Sequence, residues 1–244
     1  MIKFENTNVM NFEGALRGMR NPLNSWDKSD SGFGCRERTT WGKVEKCNLL
    51  CEDCGASYDS HNVCSGDKTF IIGDNDLALA QKLIRAGSDH RKFLRQIFVS
   101  VDITAPLYWW KEFDTYKVAT VANSCSTMHK IHSKPIELSD FSIDDFTYTI
   151  HFTDVDFKQV FKMIISECEY HRKKYLETKD KKHWRALIQL LPESYNQKRT
   201  VTLNYETLRN IYGSRRNHKL DEWSVDFMGW IDSLPYAEEL IKFQ

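Results

Sequence analysis

The stretch FVSVDITAPLYWWKEFDTYK, residues 98–117, constrains the fold more than any other part of the chain. Its first six residues alternate apolar and polar, the period of a strand with one buried face. Thr104-Ala105-Pro106 then has the composition of a helix start. Threonine is a good N-cap, and the N–H that proline lacks has no partner in a first turn anyway. On the helix that follows, Trp109, Phe113, Tyr116 and Thr120 fall on one face, and Leu107, Trp110 and Asp114 on another. Two readings of this face stay open. The aromatics fill a core, or they line a flat ligand such as a nucleobase or a ring cofactor. Lys111, Glu112, Asp114 and Lys117 are then either paired surface charges or the rim of that site.

Elsewhere the chain alternates short strands with longer helices, which predicts a mixed α/β (α+β) fold with a small sheet and long helices. Asn11 caps a short helix through Met19. A strand is expected near 70–72, and Asp74 caps a helix over 75–86 that Gly87 ends. FTYTIHF at 146–152 reads as a strand. Asp154 or Asp156 opens a long amphipathic helix to about Leu176, and KDKKHWRALIQLLP is a helix ending before Pro192. Asn204 caps a helix ending at Gly213, and a last helix carries Trp223, Phe227 and Trp230.

Residues 25–68 are rich in Ser, Gly, Asp and Cys and lack apolar periodicity. They read as a loop-rich insertion in a single domain spanning 1–244. Within it, Cys47, Cys51, Cys54 and Cys64, with Cys35 and His61 nearby, have the residue types of a structural zinc site. The second pair is loosely spaced, so free reduced thiols remain the alternative. Seven cysteines is an odd number. With no basic-then-apolar leader at the start, it points to a reducing, cytoplasmic setting. The formal net charge is zero, so no global field attracts a nucleic acid polymer or an anionic membrane. No apolar run approaches the ~20 residues of a membrane span. Any anion site is therefore local. NYETLRNIYGSRR, 204–216, is one candidate: Asn204, Thr207 and Asn210 share a polar helix face, and Arg215 and Arg216 follow. That arrangement suits a phosphate or an anionic base. The plainer reading is a capping asparagine and solvated arginines.

Three segments together resemble the flavin-dependent thymidylate synthases. RQIFVSVDITAPLYWWKEFDTYKVATVANSCSTMHK is similar, without a gap, to that family's strand, Ala-Pro helix start and signature helix. LLPESYNQKRTVTLNYETLRNIYGSR is similar to its later Leu-Pro, Asn, Ser/Thr, Asn and Arg positions. ALRGMR at 15–20 resembles its first arginine-containing helix. The resemblance implies a homotetramer with FAD at subunit interfaces, methylating dUMP, or a related pyrimidine nucleotide at C5. NADPH would be the reductant and methylenetetrahydrofolate the one-carbon donor.

Carried over residue by residue, Arg215 stands at the arginine that meets the pyrimidine and favours its ionised form, the catalytic position. Lys111, Glu112, Cys125 and Arg185 fall at or near substrate positions, with Glu112 in place of a glutamine. His90, Thr115, Tyr116, Lys117, Asn204, Glu206 and Asn210 fall at flavin positions. The signature Arg-His-Arg is replaced by Thr115-Tyr116-Lys117. A serine-and-arginine pair falls on Cys125 and Thr127, and Glu206 replaces an arginine. Each lost charge-assisted bond to phosphate removes on the order of 1.5–3 kcal/mol. The chain must therefore rebuild its anion site, with Arg17, Arg20, Arg185, Arg209 and Arg216 as the available cations, or bind something else. The alternative function is a nucleotide-binding or regulatory protein on the same fold that no longer binds FAD, its pocket filled by Trp109 and Trp110.

Overall fold

The computed structural model describes residues 2–35, 37–40, 43–46, 62–64, 68–145, 149–150 and 155–244. In chain order the elements are β1 (Lys3–Met10), α1 (Phe12–Arg20), β2 (Gly32–Cys35), β3 (Glu37–Thr40), β4 (Lys43–Lys46), β5 (Asn62–Cys64) and β6 (Lys68–Ile71). Then come α2 (Asp74–Arg85), β7 (Phe98–Pro106), α3 (Leu107–Phe113), β8 (Val121–Ser124), α4 (Phe157–Thr178) and α5 (Lys181–Leu190). The last are β9 (Asn196–Asn204), α6 (Tyr205–Arg215) and α7 (Met228–Asp232). The fold is mixed α/β, with small sheets and long helices, as expected. Two compact units form, one from Met1–Asn8, Ser100–Thr202 and Arg215–Trp230, the other from Val9–Val99, Leu203–Ser214 and Ile231–Gln244.

The first unit is built on a sheet of strand order β1-β7-β9-β8, in which β8 pairs antiparallel with β9 and sets Val121 opposite Thr202. Strand β7 alternates as its sequence requires, with Val101, Ile103 and Ala105 buried. Strand β1 is not visible as a period of two. Asn6 sits there at φ 54, and a left-handed residue interrupts the pleat. Thr104 is not the cap of α3 but remains in β7, which runs on through Pro106. The first helical N–H groups need no side-chain cap: Leu107 N donates to Tyr195 O (3.0 Å) and Tyr108 N to Glu193 O (3.1 Å). Helix α3 stops at Phe113, so Tyr116 and Thr120 are not on it.

The same unit contains an α-hairpin. Asp156 caps α4 by accepting from Lys158 N (3.0 Å), and Asp180 caps α5 by accepting from Lys182 N (2.9 Å). Its apolar faces bury Phe161, Ile165, Cys168 and Leu187 against Ile131, Ile136, Phe141 and Tyr195. The strand expected at 146–152 lies mostly outside the described residues; Thr149 forms a bridge with Asp156.

The second unit packs α1, α2 and the first turns of α6. The Phe12 ring meets Tyr205 edge-on at 5.7 Å and Tyr236 at 5.7 Å. Asp74 does not cap α2. Gly73 is the cap residue, and the carboxylate of Asp30 accepts from Asn75 N (2.8 Å) and Asp76 N (3.1 Å). A Cβ on Gly73 would lie 2.3 Å from Asp30 O, which excludes any larger residue. Gly87, at φ 106, ends α2 as expected, whereas α6 continues through Gly213 to Arg215. Residues 25–68 are not purely loop. Gly32 pairs opposite Ile71 in β2–β6, and β4-β3-β5 form a second small sheet. Short hairpins of polar residues leave no apolar period to read. Cys47, Cys51, Cys54 and His61 lie outside the described residues, and the described residues contain no group of three or more His, Cys, Asp or Glu that could hold a metal. Among the described residues no helix is long and apolar enough to cross a membrane.

Candidate functional site

The charged aromatic segment resolves into a buried cluster. Trp109 and Trp110 are fully buried, with Phe113, Trp223 and Phe227 packed against them. Trp109 stacks on Phe113 at 5.0 Å and lies 4.6 Å from Trp223. Burial of one such ring is worth roughly 4–6 kcal/mol of apolar transfer. The aromatics are therefore core, and they do not line an open ligand face. The indole N–H groups of Trp109 and Trp223 have no hydrogen-bond partner among the described residues.

Charge enters at the edges of this cluster. The Arg199 guanidinium lies over Trp110 at 4.2 Å and bonds Asp114 at 2.7 Å. The Arg215 guanidinium lies 5.1 Å from the ring centre of Trp223. Its Nη1 donates to Glu112 Oε2 at 2.7 Å, and its Nε donates to the Tyr116 hydroxyl at 2.9 Å. His218 Nε2 is 3.4 Å from the same Glu112 oxygen. Three residues singled out in the sequence thus meet: Arg215, Glu112 and Tyr116. The Arg215 side chain is 19% exposed, so it is positioned by packing yet reachable. Close by in sequence, the Tyr108 hydroxyl donates to Glu222; burial first, and that carboxylate second, push its pKa well up.

Other sequence candidates in this unit lie elsewhere. Lys111 pairs with Glu193 at 2.7 Å, both largely exposed. Thr115, Lys117, Cys125 and Arg185 are exposed, and Thr115 Oγ1 donates back to Glu112 O. In the second unit, Asn204 is buried and serves as a cap: its Oδ1 accepts from Thr207 N (2.9 Å) and Thr207 Oγ1 (3.1 Å). Glu206 is buried too, and both its oxygens accept from Arg91 Nε, at 3.1 and 2.9 Å. His90 and Asn210 are exposed.

Two of the cations proposed to rebuild an anion site are already used. Arg20 is buried against Asp76, Nε to Oδ1 at 2.5 Å. Arg209 donates to the carbonyls of Ile241 (3.0 Å) and Phe243. Arg17 is exposed and lines a cavity of about 440 Å³ with Trp26, Phe33 and Phe70. A second cavity, of about 460 Å³, lies in the first unit among Lys3, Thr104, Cys125, Lys130, Lys134 and Lys198. Arg215 lines neither cavity. Cys125 and Thr127 in its wall stand out in the sequence, but its lysines do not, because they come from distant positions.

No protein-family model matches the chain, and no curated protein matches it. Two solved structures of thymidylate synthase X from Helicobacter pylori, both with FAD and dUMP, are similar to it. One has a TM-score of 0.57 at 15% identity, covering 99% of this chain and 96% of the other. The second has a TM-score of 0.58 at 15% identity, covering 99% and 97%. At this identity the likeness establishes the fold alone.

Proposed function

We propose that the chain binds a pyrimidine nucleotide on the fold of thymidylate synthase X, with Arg215 as the residue that meets the base, and that its flavin positions have been put to other uses. The observation that carries this reading is the convergence of Arg215, Glu112 and Tyr116 at the edge of the Trp223 ring. In this reading the guanidinium donates to a pyrimidine carbonyl oxygen. The Glu112 carboxylate, which already accepts from Arg215, also accepts from a ring or exocyclic N–H. Tyr116 holds the guanidinium plane, and Trp223 limits its rotation from below. Glu112 stands where the resemblance implies a glutamine, so part of the positive charge of Arg215 is neutralised. That weakens support for an ionised pyrimidine and favours recognition of a neutral one.

The residues present do not fit FAD in the manner the resemblance implies. Asn204 spends its carboxamide oxygen on Thr207. Glu206 places a buried carboxylate, paired with Arg91, where a cation is needed. The pair is neutral as a whole, so this position offers no free cation to a pyrophosphate.

A second reading keeps the methylating activity on dUMP or a related pyrimidine nucleotide, with FAD, NADPH, methylenetetrahydrofolate and a homotetramer. It is favoured by the near-complete coverage of both chains in the comparison with structures that carry FAD and dUMP. One absorbance titration separates the two readings. The first expects a colourless protein whose added FAD keeps the spectrum of the free cofactor. Stoichiometric flavin uptake, with dUMP-dependent reoxidation of the bound flavin after its reduction, establishes the second and overturns the first.

A further inference from the structure

The hairpin of α4 and α5 brings two histidines together. His171 belongs to α4, and His183 lies in the first turn of α5, where its backbone N–H donates to Asp180 O at 3.1 Å. Helix pairing sets the two rings side by side, with centres 5.1 Å apart and planes inclined by 41°. Their Nδ1 atoms are 2.8 Å apart, so one proton holds them together. The other edge of the His171 ring is tied to its own helix: Nε2 lies 3.4 Å from Glu167 Oε1, one turn earlier. That carboxylate places the ring proton on Nε2 and leaves a lone pair on Nδ1. His183 then donates through its Nδ1–H.

A carboxylate behind an imidazole, with the opposite nitrogen unprotonated, is the arrangement that metal-ligating histidines use. The spacing also selects the metal. An ion ~2.0 Å from each nitrogen sees Nδ1 atoms 2.8 Å apart at roughly 90°. That is a cis pair of a square-planar or tetragonal ion, the geometry of copper(II) and nickel(II). A tetrahedral ion needs the two nitrogens about 3.3 Å apart. The Cβ–Cγ torsion of histidine is soft, so a small rotation of each ring turns both lone pairs to one point. His183 keeps its proton by moving it from Nδ1 to Nε2, and both ligands are then neutral imidazoles.

The surroundings admit a cation. The His171 side chain is 19% exposed and His183 is half-buried, so the pair is reachable. Neighbouring ammonium groups are matched within the hairpin, Lys174 by Glu177 at 2.9 Å and Lys182 by Asp180 at 3.2 Å. Tyr170 closes one side, its ring edge-on at 5.2 Å from His171 and 6.1 Å from His183. No metal-binding group of three or more His, Cys, Asp or Glu forms among the described residues, so water completes the coordination.

We infer that His171 and His183 form a divalent transition-metal site of the nickel or copper type, with Glu167 as the carboxylate behind His171. The ligands come from different helices, so a bound ion clamps α4 to α5 and stabilises the folded chain. The site is independent of Arg215 and of the nucleotide reading.

The test is calorimetric titration of nickel(II) into the full chain, compared with His171→Asn, His183→Asn and Glu167→Gln. Nickel held by cysteines elsewhere is common to all four proteins and cancels in the comparison. The wild type takes up one equivalent that each histidine variant binds about ten-fold more weakly or not at all, because one imidazole cannot chelate. Glu167→Gln alters only an exposed side chain, and it weakens that equivalent by about 10-fold through the loss of the carboxylate behind His171. Thermal melts show a nickel-dependent rise in Tm that is larger in the wild type than in either histidine variant. Circular dichroism checks that the variants are folded. A pair that serves only as a hydrogen-bonded staple lowers the Tm of the histidine variants but leaves nickel uptake equal in all four proteins. That result overturns the inference, as does a loss of uptake in only one of the two histidine variants.

Discussion

Asp76 is a fully buried carboxylate of the second unit, and its removal gives a calculable loss. The carboxylate is fully buried and carries three side-chain bonds. Arg20 Nε donates to Oδ1 at 2.5 Å, and Ser29 Oγ and Ser31 Oγ donate to Oδ2 at 2.7 and 2.5 Å. Asp76→Ala leaves the buried guanidinium of Arg20 without its counter-charge and the two hydroxyls without an acceptor. A stranded buried charge costs about 3–5 kcal/mol, and an orphaned hydroxyl adds on the order of 1 kcal/mol. For a chain of this length, 3–5 kcal/mol corresponds to a fall in Tm of roughly 6–20 °C. Scanning calorimetry and urea denaturation measure it. The double variant Arg20→Met/Asp76→Leu removes both charges together and recovers most of the loss, since a buried pair exchanged for apolar groups is close to neutral. A Tm for Asp76→Ala within 2 °C of wild type would refute the reasoning, as would a double variant no better than the single.

Other expectations follow from single groups. Asn204→Ala removes the cap of α6 and leaves Thr207 N without its acceptor, at a cost of about 1–2 kcal/mol in urea denaturation; no loss would mean that the cap carries no stability. Burial, with Lys179, Lys130 and Arg172 around it, holds His132 below its ordinary 6.5. The unfolded chain therefore takes up that proton first. Stability from this group is complete above the ordinary value and declines as pH falls through it toward the lower folded value. His132→Gln flattens that part of the urea-midpoint profile, and an unchanged slope contradicts the assignment. Burial, with Glu169 and Glu167 nearby, pushes the Cys168 thiol up to about 11, so it stays unalkylated at neutral pH until the chain unfolds; early labelling there contradicts its burial.

The legible parts of the fold are those encoded by local pattern. Strand β7 alternates cleanly, Asp156 and Asp180 sit directly before apolar-periodic runs, and Gly87 stands where only a left-handed residue closes α2. What was not legible depends on residues remote in sequence. Asp30 caps α2 across more than forty residues, so Asp74 looks like the cap and is not. Backbone carbonyls of residues 193 and 195 replace the cap that Thr104 would have supplied. Arg20 reads as a free cation because its partner Asp76 lies fifty-six positions away. At the site, Arg215, Glu112 and Tyr116 were each identified by position, and their mutual contact follows only from the fold. Of the lysine cavity's wall only Cys125 and Thr127 stand out in the sequence; Lys3, Lys130, Lys134 and Lys198 are gathered by tertiary structure.

Calorimetric titration of dUMP tests most directly the proposed role of Arg215 as the residue that meets a pyrimidine. The wild-type chain is predicted to bind dUMP saturably. Arg215→Ala, with an unchanged circular dichroism spectrum, is predicted to bind about 10–100-fold more weakly, the equivalent of one charge-assisted bond of 1.5–3 kcal/mol. Equal affinities in the two proteins, or no binding by the wild type, would contradict it.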